Sequence, residues 1–271
     1  MPELPEVETT VRGLAAVLEG RRLTSVEARR ADLRRPFPPD LRQRLTGATV
    51  TGLRRRAKYG LIDIDRGDTF IFHLGMSGSW RIDPVSLGKH DHFVLETDEG
   101  RRIVLNDPRR FGSLDLVPTD ALERSEPFAG MGPEPLGETF GGAWLATALA
   151  GRTAPIKAML LDQRIVAGLG NIYVCEALHL AGIAPTRAAG RISRARLDRL
   201  AAAVRQVLLA AIEAGGSSLR DYARPDGELG YFSAQWRVYG REGEACHCGA
   251  SIARRVDSGR STFFCPRCQR S

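Results

Sequence analysis

Four of the five cysteines lie in the last 26 residues, as Cys246-His-Cys248 and Cys265-Pro-Arg-Cys268. Paired thiols on two turns suit tetrahedral zinc, which prefers four sulfur or nitrogen ligands. The sixteen residues between the pairs are enough for two short strands but too few to hold a fold in water without the metal. The spacing therefore predicts a zinc-finger β-hairpin around one structural Zn²⁺, with strands over Ser251–Val256 and Ser261–Phe264.

The first cysteine pair is one residue shorter than the usual two-residue knuckle. His247 lies between the two thiols, so a site in which His247 replaces one cysteine stays open beside the four-cysteine site. A thiol tail without metal is the plain alternative. A disulfide framework is disfavoured, because the chain begins with an acidic segment where a signal peptide would be basic, and paired cysteines in a cytoplasmic protein indicate a metal.

The chain is basic, with 39 Lys and Arg against 32 Asp and Glu, a formal net charge of +7 and a pI near 9.5. This balance favours a polyanionic partner, nucleic acid first, although an arginine-rich surface without a binding role gives the same composition. A hydrophobic content of 43% excludes a disordered chain. The longest apolar stretch, residues 200–214, contains Arg205 and is too short to span a membrane, so no membrane partner is expected.

The order of patterns predicts an α+β protein. Apolar residues at helical spacing predict a helix over Pro5–Leu18. Short apolar runs from residue 23 to 117 alternate with Gly, Asp and Arg clusters, which is typical of an antiparallel sandwich or barrel. Helical periodicity returns over Ala143–Ala214. We expect a domain over 1–130, a linker rich in Pro and Gly over 131–142, a helical domain over 143–235 and the cysteine module over 236–271.

Gly168-Leu-Gly170-Asn171 lies between two helical segments. Glycines before a helix let backbone N–H groups approach an anion, and Asn171 is a good N-cap, so a DNA phosphate is one interpretation. Two helices packed through a tight turn need the same glycines.

Seven motifs occur in an order that resembles one family. They are Pro2–Thr9, Ala57–Tyr59, His73–Ser79, Asp107–Gly112, Gly168–Tyr173, Gly216–Tyr222 and Arg260–Cys265. From Pro2 to Arg270 the chain resembles the bacterial formamidopyrimidine-DNA glycosylases. The resemblance implies an N-terminal antiparallel β-sandwich with flanking helices and a C-terminal helix-two-turns-helix domain that ends in the zinc-finger hairpin. It also implies a monomer that acts on damaged double-stranded DNA, excising 8-oxoguanine and formamidopyrimidines and then cleaving the strand by β,δ-elimination.

The resemblance also implies the catalytic residues. The nucleophile is the secondary amine of Pro2, exposed once Met1 is removed, which forms an imine with the sugar; an ordinary α-amine titrates near about 7.7–8.0 and is partly neutral at physiological pH. Glu3 transfers protons, Lys58 assists elimination, and Arg260 binds phosphate. Taken without the resemblance, Pro2 is a common helix-start proline, and Glu3 complements the helix dipole.

Further implied residues contact the DNA or the damaged base. Met76, Arg109 and Phe111 match side chains that fill the space left by a flipped nucleotide. Without the resemblance, Met76 and Phe111 are ordinary core strand residues. The resemblance also places His90 or His92 near a phosphate, of which we take His92, and it implies a phosphate contact for Asn171. Around the lesion it implies Glu6, Ser217, Ser218 and Tyr222.

Two other functions stay open. An endonuclease VIII-type glycosylase has the same chemistry on oxidised pyrimidines, but Leu4 differs from the glycine usual there, and the loop from Ser217 to Phe232 is typical of the purine-specific branch. A non-catalytic zinc-ribbon DNA-binding protein is the alternative from another class. An RNA-binding metalloprotein is poorly supported, because aromatic residues make up 7% of the chain without a clustered ring motif.

Overall fold

The computed structural model describes residues 2–217, 225, 230–257 and 259–270. The chain forms two compact units, of which the first is Met1–Ala129 with Ile212–Ser233 and the second is Gly130–Ala211 with Ala234–Ser271. The domain boundaries expected at residues 130, 142 and 235 stay predictions.

Eight strands build two antiparallel sheets in the first unit. They are β1 Leu23–Ala28, β2 Val50–Arg56, β3 Tyr59–Ile64, β4 Asp68–His73, β5 Ser79–Ile82, β6 Asp91–Thr97, β7 Arg102–Asn106 and β8 Ser113–Pro118. One sheet has the order β1-β6-β7-β5 and the other the order β2-β3-β4-β8. Every neighbouring pair is antiparallel.

Aromatic side chains from the two sheets meet in a common core. Phe70 of β4 stacks on Phe93 of β6 with ring centroids 5.6 Å apart, and Phe72 meets Trp80 of β5 edge to face at 5.5 Å. All four side chains are almost completely buried. Two sheets that pack face to face through such a core form a sandwich, which confirms the predicted N-terminal fold and excludes the barrel.

The predicted first helix is present as α1, Leu4–Leu18. It buries Leu4, Val7, Val11 and Leu14 on one face and packs on β2 and β3. Pro5 lies in the first turn, where its missing N–H would have no helical partner in any case. A short helix, α2, covers Leu41–Leu45.

Four helices and a hairpin form most of the second unit. They are α3 Gly142–Leu149, α4 Ile156–Leu161, α5 Asn171–Leu180, α6 Arg194–Glu213, β9 Ala253–Asp257 and β10 Arg260–Phe264. The predicted apolar face of α6 is buried at Leu197, Leu200, Val204 and Leu208. Over the described ranges, none of the helices combines the length and apolarity needed to cross a membrane.

The predicted hairpin is confirmed, with Ser261 of β10 opposite Val256 of β9. Its small core contains the buried thiols of Cys175, Cys246 and Cys265 together with Val238 and Ile252. Since α5 carries Cys175 and packs on β10, this helix contributes to the core of the cysteine module.

Candidate functional site

The N-terminal motif places Pro2 at the buried start of α1, immediately before two acidic side chains. Glu3 and Glu6 are 4% and 2% exposed. Glu6 Oε2 accepts a hydrogen bond from the Glu3 backbone N–H at 2.8 Å, which fixes the first helical turn. The sequence thus brings Pro2 and two carboxylates to a single helix end.

The second oxygen of the Glu6 carboxylate holds a distant segment. Glu6 Oε1 accepts a hydrogen bond from the Ser217 backbone N–H at 2.8 Å, and Ser217 forms an antiparallel bridge with Tyr231. Gly216 has φ +84°, and a Cβ there would lie 3.3 Å from Glu6 Oε1, so glycine suits this close approach. Glu6 therefore fixes the base of the predicted lesion loop. Ser218 and Tyr222 lie outside the described residues.

A basic corner forms where β2 turns into β3 and β4 ends. Lys58 follows Ala57, which has φ +54°, in this turn. The pKa of His73 falls to about 4, first because the ring is buried and then because Lys58, Arg34 and Arg35 are cationic neighbours. His73 Nδ1 accepts the Gly75 N–H at 3.1 Å, so the proton of the neutral ring lies on Nε2. A neutral N–H donor among cations is suited to an anion such as phosphate.

Met76, Arg109 and Phe111 occupy two loop tips that pack backbone against backbone. Gly75 has φ +62°, and a Cβ there would lie 2.3 Å from the Phe111 carbonyl carbon, so this approach requires glycine. Phe111 is 43% exposed, and the Arg109 guanidinium lies 4.7 Å from the centre of its ring. The tips therefore present an apolar ring and a hydrogen-bonding cation together.

Asp107 organises these loops, although the sequence analysis assigned it no role. It is fully buried; its Oδ1 accepts from the Ser77 hydroxyl at 2.6 Å, and its Oδ2 accepts from the Gly112 N–H at 2.8 Å. Ser77 Oγ in turn accepts the Arg109 N–H at 3.2 Å. The only signal in the sequence is an acidic residue at the end of an apolar run, inside one of the seven motifs.

His92 differs from its expected place at a phosphate. It is 4% exposed, and its Nε2 lies 3.0 Å from the Asp107 carbonyl oxygen. Burial lowers the pKa of His92, although the bond to the Asp107 backbone opposes the shift. The buried ring of His92 therefore contacts the backbone of the Asp107 loop.

The four clustered cysteines fit one tetrahedral metal. Their sulfur atoms all lie within 4.8 Å of one another, with 3.9 Å between Cys246 and Cys268 and 3.5 Å between Cys248 and Cys265. Zn–S bonds of about 2.3 Å in a tetrahedron place sulfurs about 3.8 Å apart. Four protein sulfurs leave no position for a reactive water, so the predicted zinc is structural. A second, overlapping donor set consists of His179, Cys246, His247 and Cys268.

Two side chains from the helices hold the β10 strand. Asn171 Nδ2 donates to the Ser261 carbonyl at 2.8 Å. Lys157, which is 3% exposed, donates to the same carbonyl at 3.1 Å and to Thr262 Oγ1 at 2.7 Å. Burial lowers the pKa of Lys157. Arg260 is exposed at the start of β10, beside a cavity of about 550 Å³ that Lys157 and Asp257 also line. Sequence reasoning missed Lys157, because a single lysine in an apolar helix carries no distinguishing pattern.

Three family models match consecutive parts of the chain. They are the formamidopyrimidine-DNA glycosylase N-terminal domain over residues 1–114, the H2TH domain of the same enzymes over 131–223 and the zinc finger found in FPG and IleRS over 246–270. The chain is 75% identical to a formamidopyrimidine-DNA glycosylase of Rhizorhabdus wittichii and 66% identical to one of Novosphingobium aromaticivorans, each over 100% of both chains.

Solved structures give the same result. The fold matches a Lactococcus lactis FPG mutant in complex with a Fapy-dG containing DNA, with a TM-score of 0.92, 36% identity and 100% of both chains covered. It matches the MutM (FPG) protein of Thermus thermophilus with a TM-score of 0.90 and 40% identity over 99% of this chain and 98% of that one. The fold and cysteine module define a DNA-repair glycosylase with a structural zinc finger. The chain belongs to the formamidopyrimidine-DNA glycosylase family.

Proposed function

We propose that this protein is a bifunctional DNA glycosylase and abasic-site lyase of base excision repair, acting on 8-oxoguanine and formamidopyrimidines. The observation that carries the proposal is the position of Pro2, whose nitrogen becomes a secondary amine once Met1 is removed, at a buried helix start with Glu3 and Glu6. Support comes from relatives solved with a Fapy-dG containing DNA and with an abasic site containing DNA. Its partner is damaged double-stranded DNA.

Base excision begins when the neutral Pro2 nitrogen attacks C1′ of the damaged nucleotide. The C1′–N9 bond breaks, and its electron pair leaves with the base, which takes up the proton that the attacking proline nitrogen gives up. Glu3 then delivers a proton to the ring oxygen O4′ as the sugar opens, which leaves an iminium between C1′ and the proline nitrogen. The role of Glu3 is general acid catalysis, and a nucleophilic amine is what iminium formation requires.

Strand cleavage follows from the same intermediate. The iminium withdraws electrons and acidifies the C2′ proton, so loss of that proton expels the 3′ phosphate. A second elimination expels the 5′ phosphate, and hydrolysis of the C1′–N bond frees Pro2. Lys58 stabilises phosphate charge during elimination. His73, whose neutral ring carries its proton on Nε2 and lies among cations, is suited to the same task.

Other residues bind and shape the DNA. Met76 and Phe111 fill the space left by the flipped nucleotide, and Arg109 pairs with the orphaned base, because these side chains share two packed loop tips. Arg260 and Asn171 bind backbone phosphate, with Lys157 fixing the strand that carries Arg260.

Around the lesion, Glu6 and Ser217 define the start of the loop over the damaged base. Ser218 and Tyr222 complete that loop by family resemblance.

The zinc ligands are Cys246, Cys248, Cys265 and Cys268. The metal supplies folding energy to the hairpin and takes no part in the chemistry. The protein acts as a monomer in the cytoplasm, where its DNA substrate lies.

Borohydride trapping tests the function. We expect a covalent adduct with duplexes that contain 8-oxoguanine opposite cytosine, because borohydride reduces the iminium to a stable amine. Peptide mapping should place the DNA on Pro2. A form that retains an N-terminal extension is the matched control and should bind the duplex without forming an adduct.

Three outcomes would contradict the proposal. Trapping only on oxidised pyrimidines would indicate an endonuclease VIII-type enzyme. Binding without trapping on any lesion would indicate a zinc-ribbon DNA-binding protein. An adduct mapped to Lys58 would remove Pro2 from the mechanism.

A further inference from the structure

Two imidazoles approach the sulfur of Cys246. His179 Nε2 and His247 Nδ1 each lie 3.4 Å from Cys246 Sγ. His247 belongs to the cysteine module and is exposed, whereas His179 is 4% exposed and lies on α5. His179 is therefore outside residues 246–270, the segment that matches the zinc-finger model.

Within the described residues, the Cys246 sulfur is the one hydrogen-bond partner of the His179 ring. Its Nδ1 is buried without a hydrogen-bond partner within the described part of the chain, and its ring meets that of His247 edge to face at 5.6 Å. A buried imidazole is normally hydrogen-bonded. With Nδ1 unprotonated, the neutral ring carries its proton on Nε2, aimed at the sulfur.

The charge of the site favours a donor at this position. Four thiolates around Zn²⁺ leave a net charge of −2, and Cys246 is only 4% exposed, so water cannot screen its share. An N–H directed at the sulfur disperses that charge, as outer-sphere donors do at metal sites. The four sulfurs already fill the tetrahedron, so His179 is left to act on a ligand.

Helix α5 also touches the other side of the module. Asn171, at its first residue, donates to Ser261 of β10, while His179, near its last residue, reaches Cys246. The helix thereby holds the hairpin at two points. A displaced Cys246 would let the hairpin, and with it Arg260, shift on α5.

We propose that His179 is a positioning residue of the zinc centre, whose Nε2–H donates a hydrogen bond to the Cys246 thiolate and fixes the short first cysteine pair against α5. The inference rests on the proposed four-cysteine ligand set and does not depend on the catalytic proposal. Its tests use metal spectroscopy and metal release, so failure of glycosylase activity would not affect them.

The first experiment compares full-length variants loaded with Co²⁺ or Zn²⁺. His179→Phe removes the donor and keeps an aromatic ring, His179→Gln keeps an N–H of similar reach, and His247→Phe is the exposed control. In His179→Phe we expect the thiolate-to-cobalt charge-transfer band at lower energy, unchanged tetrahedral d–d bands and zinc release to a chelator about 10-fold faster. His179→Gln should restore both properties, and His247→Phe should change them little.

The opposite results would overturn the proposal. If the energy of the charge-transfer band and the rate of zinc release are unchanged in His179→Phe, the proposed hydrogen bond does not exist. Altered d–d bands would make His179 a ligand, and equal effects of Phe and Gln would indicate packing alone.

A measurement on the unmutated protein covers the case in which a variant fails to fold. In protein loaded with ¹¹³Cd, the His179 Nε2 proton should show coupling to cadmium through the Cys246 sulfur. A one-bond coupling from cadmium to the His179 nitrogen, or no slowly exchanging imidazole proton, would contradict the assignment.

Discussion

Replacing Asp107 should loosen the two loops that carry Met76, Arg109 and Phe111. Asp107→Ala removes both buried acceptors, which leaves the Gly112 N–H and the Ser77 hydroxyl without their partners. A buried polar group that loses its partner costs about 1–3 kcal/mol. We therefore expect local destabilisation of the loops by about 2–6 kcal/mol from the two groups together.

Asp107→Asn separates the loss of charge from the loss of geometry. The Asn oxygen can still accept from the Gly112 N–H, while its amide donates to Ser77 Oγ, which has lone pairs to receive it. The expected cost is only about 1 kcal/mol. Ser77→Ala is the matched control, because it removes the hydroxyl but leaves the bond from Gly112 to Asp107.

Hydrogen exchange at the Gly112 amide measures the effect locally, without requiring the chain to unfold in one step. A loss of about 2 kcal/mol accelerates exchange about 30-fold. Asp107→Ala should reach this acceleration and also weaken discrimination of the base opposite the lesion, since the Arg109 backbone is held through Ser77. If the Gly112 amide exchanges in Asp107→Ala at the wild-type rate, the reasoning is refuted. The same holds if Asp107→Asn accelerates this exchange as much as Asp107→Ala does.

Four further predictions concern the site. Glu3→Gln should lose base excision yet retain part of the cleavage at a ready-made abasic site in a nicking assay; equal loss on both substrates would make Glu3 structural. Arg109→Ala should reduce the preference for cytosine over adenine opposite 8-oxoguanine in competition kinetics, and an unchanged preference would assign that role elsewhere. Burial lowers the pKa of His73 in the folded state to about 4, so as the pH falls the unfolded chain takes up its proton first and folding stability is lost between about pH 6.5 and 4. In urea titrations the free energy of unfolding of His73→Asn should fall by about 3 kcal/mol less than that of the wild type over this range. The same dependence of stability on pH in both proteins would contradict the assignment. Chelation of the zinc should abolish DNA binding in a mobility-shift assay while leaving the circular dichroism of the sheets and long helices, and full binding by metal-free protein would contradict the structural role of zinc.

Periodicity and spacing predicted the elements that bury a continuous apolar face. Helices α1 and α6 have apolar residues at helical intervals, and β4 contains the apolar run Phe70-Ile71-Phe72, so these elements can be read locally. The cysteine module was predictable because tetrahedral zinc requires clustered thiols.

Strand β2 has no apolar run that would mark its full length in the sequence, because its residues Arg54–Arg56 have the pattern of an exposed basic segment. The structure pairs Arg54 with Asp63 of β3 at 2.8 Å and Arg55 with Glu8 of α1 at 2.9 Å. Asp63 lies on the neighbouring strand and Glu8 on helix α1, and both come close to the arginines only in the folded sandwich. A run of like charges in a sequence thus indicates a nucleic-acid surface only for the side chains that the fold leaves without an acidic neighbour.

The buried polar residues that hold the site were the hardest part to predict. Asp107 bonds to Ser77, Lys157 to the β10 strand and His179 to Cys246, and in each pair the partners are 30 or more residues apart. Burial without a partner would cost each group more than its bond returns, so such residues persist only where the fold supplies the partner. Each of the three supports a segment that carries an exposed side chain proposed to contact DNA, namely the loops with Arg109 and the hairpin with Arg260. The exposed residues were identifiable by resemblance to a family, whereas the buried residues that hold them in place follow only from the three-dimensional hydrogen-bond network. Substitutions of these buried residues should therefore have the largest effects.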